Sequence, residues 1–239
     1  MKLKHLFSAL TVLVMSFSFT SCNSGEDLFD FSNIVTYAGV QSGRPAVVWQ
    51  EMNDAPQVTL LLDMDGGSFA SVNIGDRLFV AFTAPDYPTN NMLVKPYSIG
   101  AVSTIQPMAM EAPETWDSEP FLYINMLYRS GDYLNIVCVL PDGTEPDKLD
   151  FKFYVDPQTI GTQNVVAWLG YTNPAAGETV ANIYTYYKCV DLRTLMNGAS
   201  ETLTVYMHNG NWSINYGSEV PGTLGPDHNS IVIPLQTLL

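Results

Sequence analysis

One residue of this chain has a type and a setting that predict a defined chemical modification, and it is Cys22. It follows the small residues Thr20 and Ser21 at the end of an apolar run over residues 6–19. Small residues before a cysteine at such a position form a lipoprotein processing site, at which residues 1–21 would be removed. Cys22 would then be the first residue, and its acyl chains would hold the protein on a membrane, because two or more chains bind stably.

The leader that precedes Cys22 has the features of a signal peptide. Lys2 and Lys4 give it a positive start, and its apolar part is shorter than the roughly 20 residues that a membrane-spanning helix needs. An ordinary secretory leader with an incidental cysteine is the alternative, although no second cleavage site of the A-x-A kind is visible.

The residues after Cys22 are small and acidic, with Glu26, Asp27 and Asp30 among them. We predict an acidic tether over residues 22–32. It resembles the acidic export signal that sends lipoproteins of Bacteroidota to the outer face of the outer membrane, and it also fits a solvated spacer. The expected location is therefore the cell envelope, as an outer-membrane lipoprotein that the export signal would expose at the surface.

No arrangement of residues predicts catalysis or a bound cofactor. The mature chain would contain only His208 and His228, which do not form an HExxH or another close ligand pair. A nucleophile elbow, a P-loop and a dinucleotide fingerprint are also missing. We therefore predict a protein that is not an enzyme, with no catalytic residues, no cofactor and no metal.

Two acidic stretches have features of calcium sites. Residues 63–66 form half of an EF-hand-like loop but lack the later oxygen ligands, so a hairpin turn is preferred. Residues 142–147, together with Asp150, could supply oxygen ligands, but a solvated turn between strands explains them as well.

Cys138 and Cys189 remain after Cys22 is assigned. In an oxidising envelope they could form one disulfide. Cys138 lies in an apolar run, however, so a free thiol packed as a small hydrophobic group is the alternative.

The charge balance restricts the class of partner. The intact chain has a net charge of −14, and removal of Lys2 and Lys4 with the leader would lower it to −16. Nucleic acid is excluded, because its phosphates require basic contacts, and electrostatic adhesion to anionic lipid is equally disfavoured. A basic partner would be favoured.

The hydrophobic pattern predicts an all-β protein. Short runs rich in Val, Ile, Tyr, Phe and Thr are separated by turn residues, and a helical turn is expected only at residues 191–196. Five runs within residues 33–112, the last of them at residues 92–105, predict an OB-like small barrel, and residues 129–132 are predicted to form a hairpin turn. Residues 113–120 are predicted as a linker, and residues 121–239 as a C-terminal β-sandwich. Tyr184, Tyr186 and Tyr187 fit core packing, with a sugar- or protein-binding rim as the alternative.

Two motifs carry a resemblance to a known family. They are Gly-Asp-Tyr-Leu-Asn-Ile at residues 131–136 and Gly-Asp-Arg-Leu-Phe-Val at residues 75–80. With the leader and the two β regions, the chain resembles the NigD-like lipoproteins of Bacteroidota over nearly its whole length. The resemblance implies this fold and an envelope location, and a role related to bacteriocin immunity. It implies no catalytic residues.

These observations predict a non-catalytic binding module, anchored through Cys22, that engages another envelope or secreted macromolecule. A cationic bacteriocin is one candidate partner. The alternative is an accessory or anchoring subunit of a fimbria-like surface assembly, in which the strand near residues 230–235 would complete a neighbouring sheet. A hydrolase is a third class, for which the motifs are missing.

Overall fold

The computed structural model describes residues 28–51, 55–64, 69, 71–111, 123–142, 150–172, 182–196, 198–208, 211–212 and 228–235. This described part of the chain contains strands, turns and bends, and no helix, which confirms the all-β prediction. Since no helix occurs there, none of these residues forms an apolar helix long enough to cross a membrane. The fold divides into two compact units, one ending at Ser103 and the other beginning at Thr104.

The first unit is a five-stranded barrel. Its strands are β1 (Phe29–Gln41), β2 (Arg44–Trp49), β3 (Val58–Leu62), β4 (Arg77–Ala84) and β5 (Met92–Ile105). β1, β2 and β3 form an antiparallel meander, β3 pairs with β5 in parallel, and β4 closes the barrel between β5 and β1. This order of pairing is that of an OB-like barrel, as the sequence predicts, and closure removes exposed strand edges.

Alternation along each barrel strand explains the barrel core. Successive side chains of a strand point to opposite faces, so every second residue lies inside. Leu78, Val80 and Phe82 of β4 follow this rule and are almost completely buried. They pack with residues of the other four strands, including Val47, Leu60 and Val94 of β2, β3 and β5.

β1 contains a bulge that brings a glycine against the loop before β4. The register with β2 shifts between Tyr37 and Gly39, and Gly39 has a φ of 94°. A Cβ atom placed on Gly39 would lie 3.1 Å from the side chain of Ile74. The amide of Gly75 donates a hydrogen bond to the carbonyl of Tyr37, which fixes this loop on β1. A side chain at Gly39 would therefore meet both backbone strain and a close contact.

The second unit contains two sheets. Its strands are β6 (Met108–Ala109), β7 (Tyr123–Ser130), β8 (Tyr133–Asp142), β9 (Asp150–Val155), β10 (Asn164–Thr172), β11 (Asn182–Asp191), β12 (Thr202–His208), β13 (Asn211–Trp212) and β14 (His228–Pro234). One sheet has the order β13-β7-β8-β11 and the other the order β14-β12-β10-β9-β6. Apolar side chains from both sheets form one core, which confirms the predicted sandwich.

A two-residue turn connects β7 to β8. Gly131 has a φ of 56° and, with Asp132, joins Ser130 to Tyr133, its partner in the register. This is the hairpin that the sequence predicts at residues 129–132. Glycine suits the position because it adopts a positive φ without steric cost.

Cys138 and Cys189 are both buried thiols that form no disulfide, so the alternative of a disulfide is not realised. Cys138 is opposite Tyr186 in the register of β8 and β11, and Cys189 is opposite Asn135. The two cysteines are three positions apart along adjacent strands, so they face opposite sides of the sheet. Cys138 belongs to the sandwich core, and Cys189 donates a 3.3 Å hydrogen bond to Asn135 Oδ1.

Several element boundaries differ from those expected. β1 begins at Phe29, so the last residues of the predicted tether lie in a strand. Met108–Ala109, which lies within the region predicted as the barrel, forms β6 and pairs with β9 in parallel. The predicted turn at 191–196 is present, with Asp191 accepting the Arg193 amide at 3.1 Å. The predicted linker at 113–120 lies outside the described residues.

Candidate functional site

Cys22 and the leader lie outside the described residues, so lipidation at Cys22 stays a prediction from the sequence. The first described residue is Leu28, followed directly by the first strand of the barrel. The chain therefore enters the barrel a short distance after the predicted anchor.

The candidate calcium ligands lie only partly within the described residues. Asp63 forms an ion pair with Arg44, and its amide donates to the carbonyl of Val94, so its carboxylate has a local partner. Asp150 pairs with Lys152 at 3.3 Å, whereas residues 143–147 lie outside the described part. Within the residues that the structure covers, no three His, Cys, Asp or Glu side chains are grouped so as to hold a metal ion.

The two histidines are brought together in a way that their sequence spacing does not suggest. His208 and His228 are opposite each other in the antiparallel register of β12 and β14. A cross-strand pairing of this kind depends on the tertiary fold, so inspection of short-range ligand motifs does not detect it.

The most distinctive surface feature of the barrel is a group that we call the Tyr87 cluster. Its members are aromatic residues and one carboxylate at one end of the barrel: Phe31, Trp49, Glu51, Phe82 and Tyr87. The rings of Trp49 and Tyr87 meet edge to face at 5.4 Å, and those of Phe31 and Tyr87 at 6.1 Å. Phe31 also stacks on Phe82 at 5.5 Å. Aromatic pairs in these geometries hold each other in place.

The members of the Tyr87 cluster differ in their exposure to solvent. Tyr87 is 46% exposed, whereas Trp49 and Phe82 are almost completely buried. The indole N–H of Trp49 is buried and has no hydrogen-bond partner among the described residues. The exposed ring of Tyr87 therefore lies on a rigid aromatic base.

The loop that carries Tyr87 is fastened to the neighbouring strand. It joins β4 to β5, and the Asn90 side chain accepts a 2.9 Å hydrogen bond from the amide of Thr59 in β3. The Asn91 amide donates to the Thr59 carbonyl at 2.6 Å, and Asn91 has a φ of 61°. Asparagine tolerates this left-handed conformation better than most residues. The β4–β5 loop of OB-like barrels is one of the loops that contact ligands.

A carboxylate fixes the outer edge of the Tyr87 ring. The Tyr87 hydroxyl donates a hydrogen bond to Glu51 Oε2. Partial burial, followed by the hydrogen bond to Glu51 and its negative charge, raises the pKa of Tyr87 above its usual range. The Asn33 side chain donates to the carbonyls of Gln50 and Glu51 at 2.6 and 3.2 Å and so holds this segment. Tyr87 remains protonated and acts as a donor at neutral pH.

The Tyr87 cluster offers binding chemistry. An exposed, rigid aromatic ring can stack on a sugar or on a cationic side chain, and the carboxylates of Glu51 and Asp86 add negative charge beside it. Analysis of the sequence did not single out Tyr87, because its importance depends on the contacts of its loop with β2 and β3. The only local signal is the Asp-Tyr-Pro sequence at residues 86–88, which is typical of a turn.

The tyrosines singled out from the sequence have a different role. Tyr186 is 6% exposed and belongs to the sandwich core, where its ring lies 6.3 Å from that of Phe151. Tyr187, on the other face of β11, is half-buried, and burial raises its pKa. Core packing, and not a binding rim, thus describes Tyr186. The side chain of Tyr184 lies outside the described part.

The topology defines an all-β protein with an OB-like barrel followed by a β-sandwich. The chain matches no protein-family model and no curated protein. Solved structures with the same fold come from Bacteroides and Parabacteroides. A protein of unknown function from Bacteroides vulgatus is similar with a TM-score of 0.59 and 14% identity, over 86% of this chain and 90% of that chain.

Two further structures are similar. A candidate lipoprotein from Bacteroides fragilis has a TM-score of 0.55 and 10% identity, over 88% of this chain and 99% of that chain. A NigD-like immunity protein from Bacteroides caccae has a TM-score of 0.52 and 14% identity, over 75% of this chain and 85% of that chain. The resemblance to NigD-like proteins is therefore confirmed at the level of the fold.

Proposed function

We propose that this protein is an outer-membrane lipoprotein, anchored through Cys22, that acts as a non-catalytic binding module in the cell envelope. The processing site at Cys22 supports the anchor, and so does the shared fold with a candidate lipoprotein from Bacteroides fragilis. Acyl chains on Cys22 keep the protein at the membrane, so its partners are envelope or secreted macromolecules.

The observation that carries the binding role is the exposed ring of Tyr87 on its buried base. Tyrosine is frequent among the residues that contribute most to protein interfaces, because it offers a large contact area with little loss of conformational freedom. Here the aromatic neighbours, the Glu51 hydrogen bond and the fastened loop hold the ring before any partner arrives. Such pre-organisation reduces the entropic cost of binding.

The charge around the Tyr87 cluster favours a basic partner. Glu51 accepts a hydrogen bond from the Tyr87 hydroxyl and Asp86 accepts one from the Tyr87 amide, and the barrel region has few basic residues. Of the three, Arg44 is paired with Asp63, Arg77 is buried and donates to Thr36 and to the Ile34 carbonyl, and Lys95 lies on β5. A lysine or arginine of a partner can lie over the Tyr87 ring and contact these carboxylates. A cationic bacteriocin has this chemistry, and the fold shared with a NigD-like immunity protein is consistent with such a partner.

The test uses the full-length lipidated protein in detergent as bait for basic proteins of the envelope and the culture supernatant. Tyr87→Ala is compared with Tyr97→Ala, which removes another exposed tyrosine of the same unit from outside the cluster. We expect one basic partner that the wild type and Tyr97→Ala retain and that Tyr87→Ala loses. High salt should weaken its capture, because it screens the charges.

Two results would contradict the proposal. Equal capture by all three proteins would place the binding surface away from Tyr87. The absence of a specific partner, together with turnover of substrates in a panel of glycans and esters, would favour an enzyme.

The alternative role in a fimbria-like assembly would require β14 to leave its own sheet. In this structure β14 pairs with β12, and Ile231, Ile233 and Leu235 are buried in the sandwich core. Size-exclusion chromatography separates the two roles, since a ladder of oligomers favours assembly and a single small species favours the binding module.

A further inference from the structure

The barrel exposes three large apolar side chains close to the point where the chain enters it. Leu28 is 52% exposed, Leu93 is 49% exposed and Tyr97 is 63% exposed. Exposed apolar side chains that occur together mark a surface that contacts another phase or another molecule.

The strand register places these residues side by side. Asp30 of β1 is opposite Thr83 of β4, and Thr83 is opposite Lys95 of β5. Leu28 lies two residues before Asp30, and Leu93 two residues before Lys95, so both share the outward face. β1 and β5 lie on either side of β4, so these two strands are about 10 Å apart.

Tyr97 completes this surface. It lies at the register irregularity between Pro96 and Ser98, and its ring points outward. Partial burial and the nearby negative charge of Asp30 raise its pKa, in agreement with a position beside Asp30. We call Leu28, Asp30, Leu93, Lys95 and Tyr97 the outer patch.

The predicted anchor lies very near the outer patch. Cys22 precedes Leu28 by six residues, which span at most about 20 Å when fully extended. By contrast, β1 continues for 13 residues to Gln41, and Ile74 packs against Gly39 near that far end of the strand. A lipid surface that holds Cys22 therefore lies closer to the outer patch than to Ile74.

We propose that the outer patch rests on the lipid bilayer, with Leu28, Leu93 and Tyr97 entering the headgroup region. Tyrosine is enriched at membrane interfaces because its ring is apolar and its hydroxyl can stay hydrated. Lys95 can reach lipid phosphates while its stem covers apolar surface. This inference rests on the proposed anchor at Cys22. It also places the Tyr87 loop, which leaves β4 beside Phe29 of β1, near the membrane surface.

The experiment uses the full-length lipidated protein in vesicles of phosphatidylethanolamine and phosphatidylglycerol. Leu93→Cys and the control Ile74→Cys are each labelled with an environment-sensitive fluorophore. The native thiols do not compete, because Cys138 and Cys189 are buried and Cys22 would be acylated. We expect the emission at position 93 to shift to the blue and to be quenched when nitroxide-labelled lipids are added. Neither change is expected at position 74.

Each other outcome overturns the proposal in a distinguishable way. Vesicle-bound protein with a water-like emission at position 93 would show that the anchor is present but that the outer patch does not touch lipid. Protein that carries no acyl chain and does not float with vesicles would overturn the anchor and the outer-patch contact together. A blue shift without vesicles that grows with protein concentration would identify a second copy of the chain as the occupant.

Discussion

Arg129 Nη1 donates a 2.9 Å hydrogen bond to the main-chain carbonyl of Leu235, and both residues are almost completely buried. Arg129 belongs to β7 in one sheet of the sandwich, and Leu235 follows β14 at the edge of the other. This hydrogen bond links the two sheets and holds the C-terminal strand against the core.

We expect Arg129→Met to lower the free energy of unfolding by about 1–3 kcal/mol, because a buried carbonyl would lose its charged donor. The control is Arg44→Met, which removes a partly exposed ion pair with Asp63 and should cost about 0–1 kcal/mol. Urea denaturation followed by circular dichroism measures both. Equal effects of the two substitutions would show that the link to Leu235 contributes little.

Gly39→Ala should destabilise the barrel more than Gly75→Ala. Both glycines have a φ near +95°, where an L-residue is strained by roughly 1–2 kcal/mol, but only a Cβ at Gly39 would approach Ile74. Replacing Ile74 with alanine in the Gly39→Ala variant should recover part of the difference. Ile74 is 76% exposed, so Ile74→Ala alone should change stability by less than about 0.5 kcal/mol. Thermal unfolding of the four variants is the measurement, and an equal loss at both glycines would contradict the contact.

Asp191 should make the stability of the sandwich depend on pH in the acidic range. The hydrogen bonds from Arg193 hold the pKa of this carboxyl below its usual range. Its contribution is therefore fully present above the unfolded pKa of about 3.9 and is lost as the pH falls through the lower folded pKa. We expect Asp191→Ala to cost about 0.5–1.5 kcal/mol at pH 7, as for the loss of a hydrogen-bonded side chain, with a smaller difference below pH 4.

Asp150→Ala is the control for that measurement. Asp150 is 58% exposed in its side chain and pairs with Lys152, so its loss should change the unfolding free energy by less than about 1 kcal/mol. Urea unfolding of each variant at pH 7 and at pH 3 gives the comparison. If Asp191→Ala cost the same at both pH values, Asp191 would not be the source of the pH dependence.

Cys138 and Cys189 should be unreactive in the folded protein. Burial raises the pKa of the Cys138 thiol, and the thiolate is the reactive form. A thiol reagent such as DTNB at pH 8 should detect neither cysteine before denaturation and both afterwards. Leu93→Cys, which adds an exposed thiol, controls for the reagent. A change in gel mobility between reduced and non-reduced protein would instead reveal a disulfide.

Local sequence patterns predicted most of the strands because each pattern reports burial of one face. β5 has the predicted bounds Met92–Ile105. The hairpin turn at Gly131 and Asp132 was also predictable, because glycine is favoured where a turn requires a positive φ. Strand pairing over long distances was not predictable in this way. The parallel pairing of β10 with β12 and the short strand β6 depend on partners far apart in the sequence.

The same limit applies to the candidate site. Tyr87 becomes distinctive only through Trp49, Glu51 and Phe31, which come from other elements of the barrel. Cys22 is the opposite case, because a processing site is read from a continuous stretch of chain and needs no tertiary context. The sequence therefore predicts the anchor directly, whereas the proposed binding surface depends on the fold.

For an exported chain, the position of β14 sets the order in which the two units can be completed. The last strand of the barrel ends at Ile105, so the whole barrel can leave the export channel long before residues 228–235 emerge. The sandwich, by contrast, lacks Ile231, Ile233 and the Leu235 carbonyl until those residues have emerged. Because domains generally fold as units in the order in which they emerge, the apolar interior of the unfinished sandwich stays open longest. Envelope chaperones that shield translocated chains should therefore be needed chiefly between the completion of the barrel and the emergence of β14.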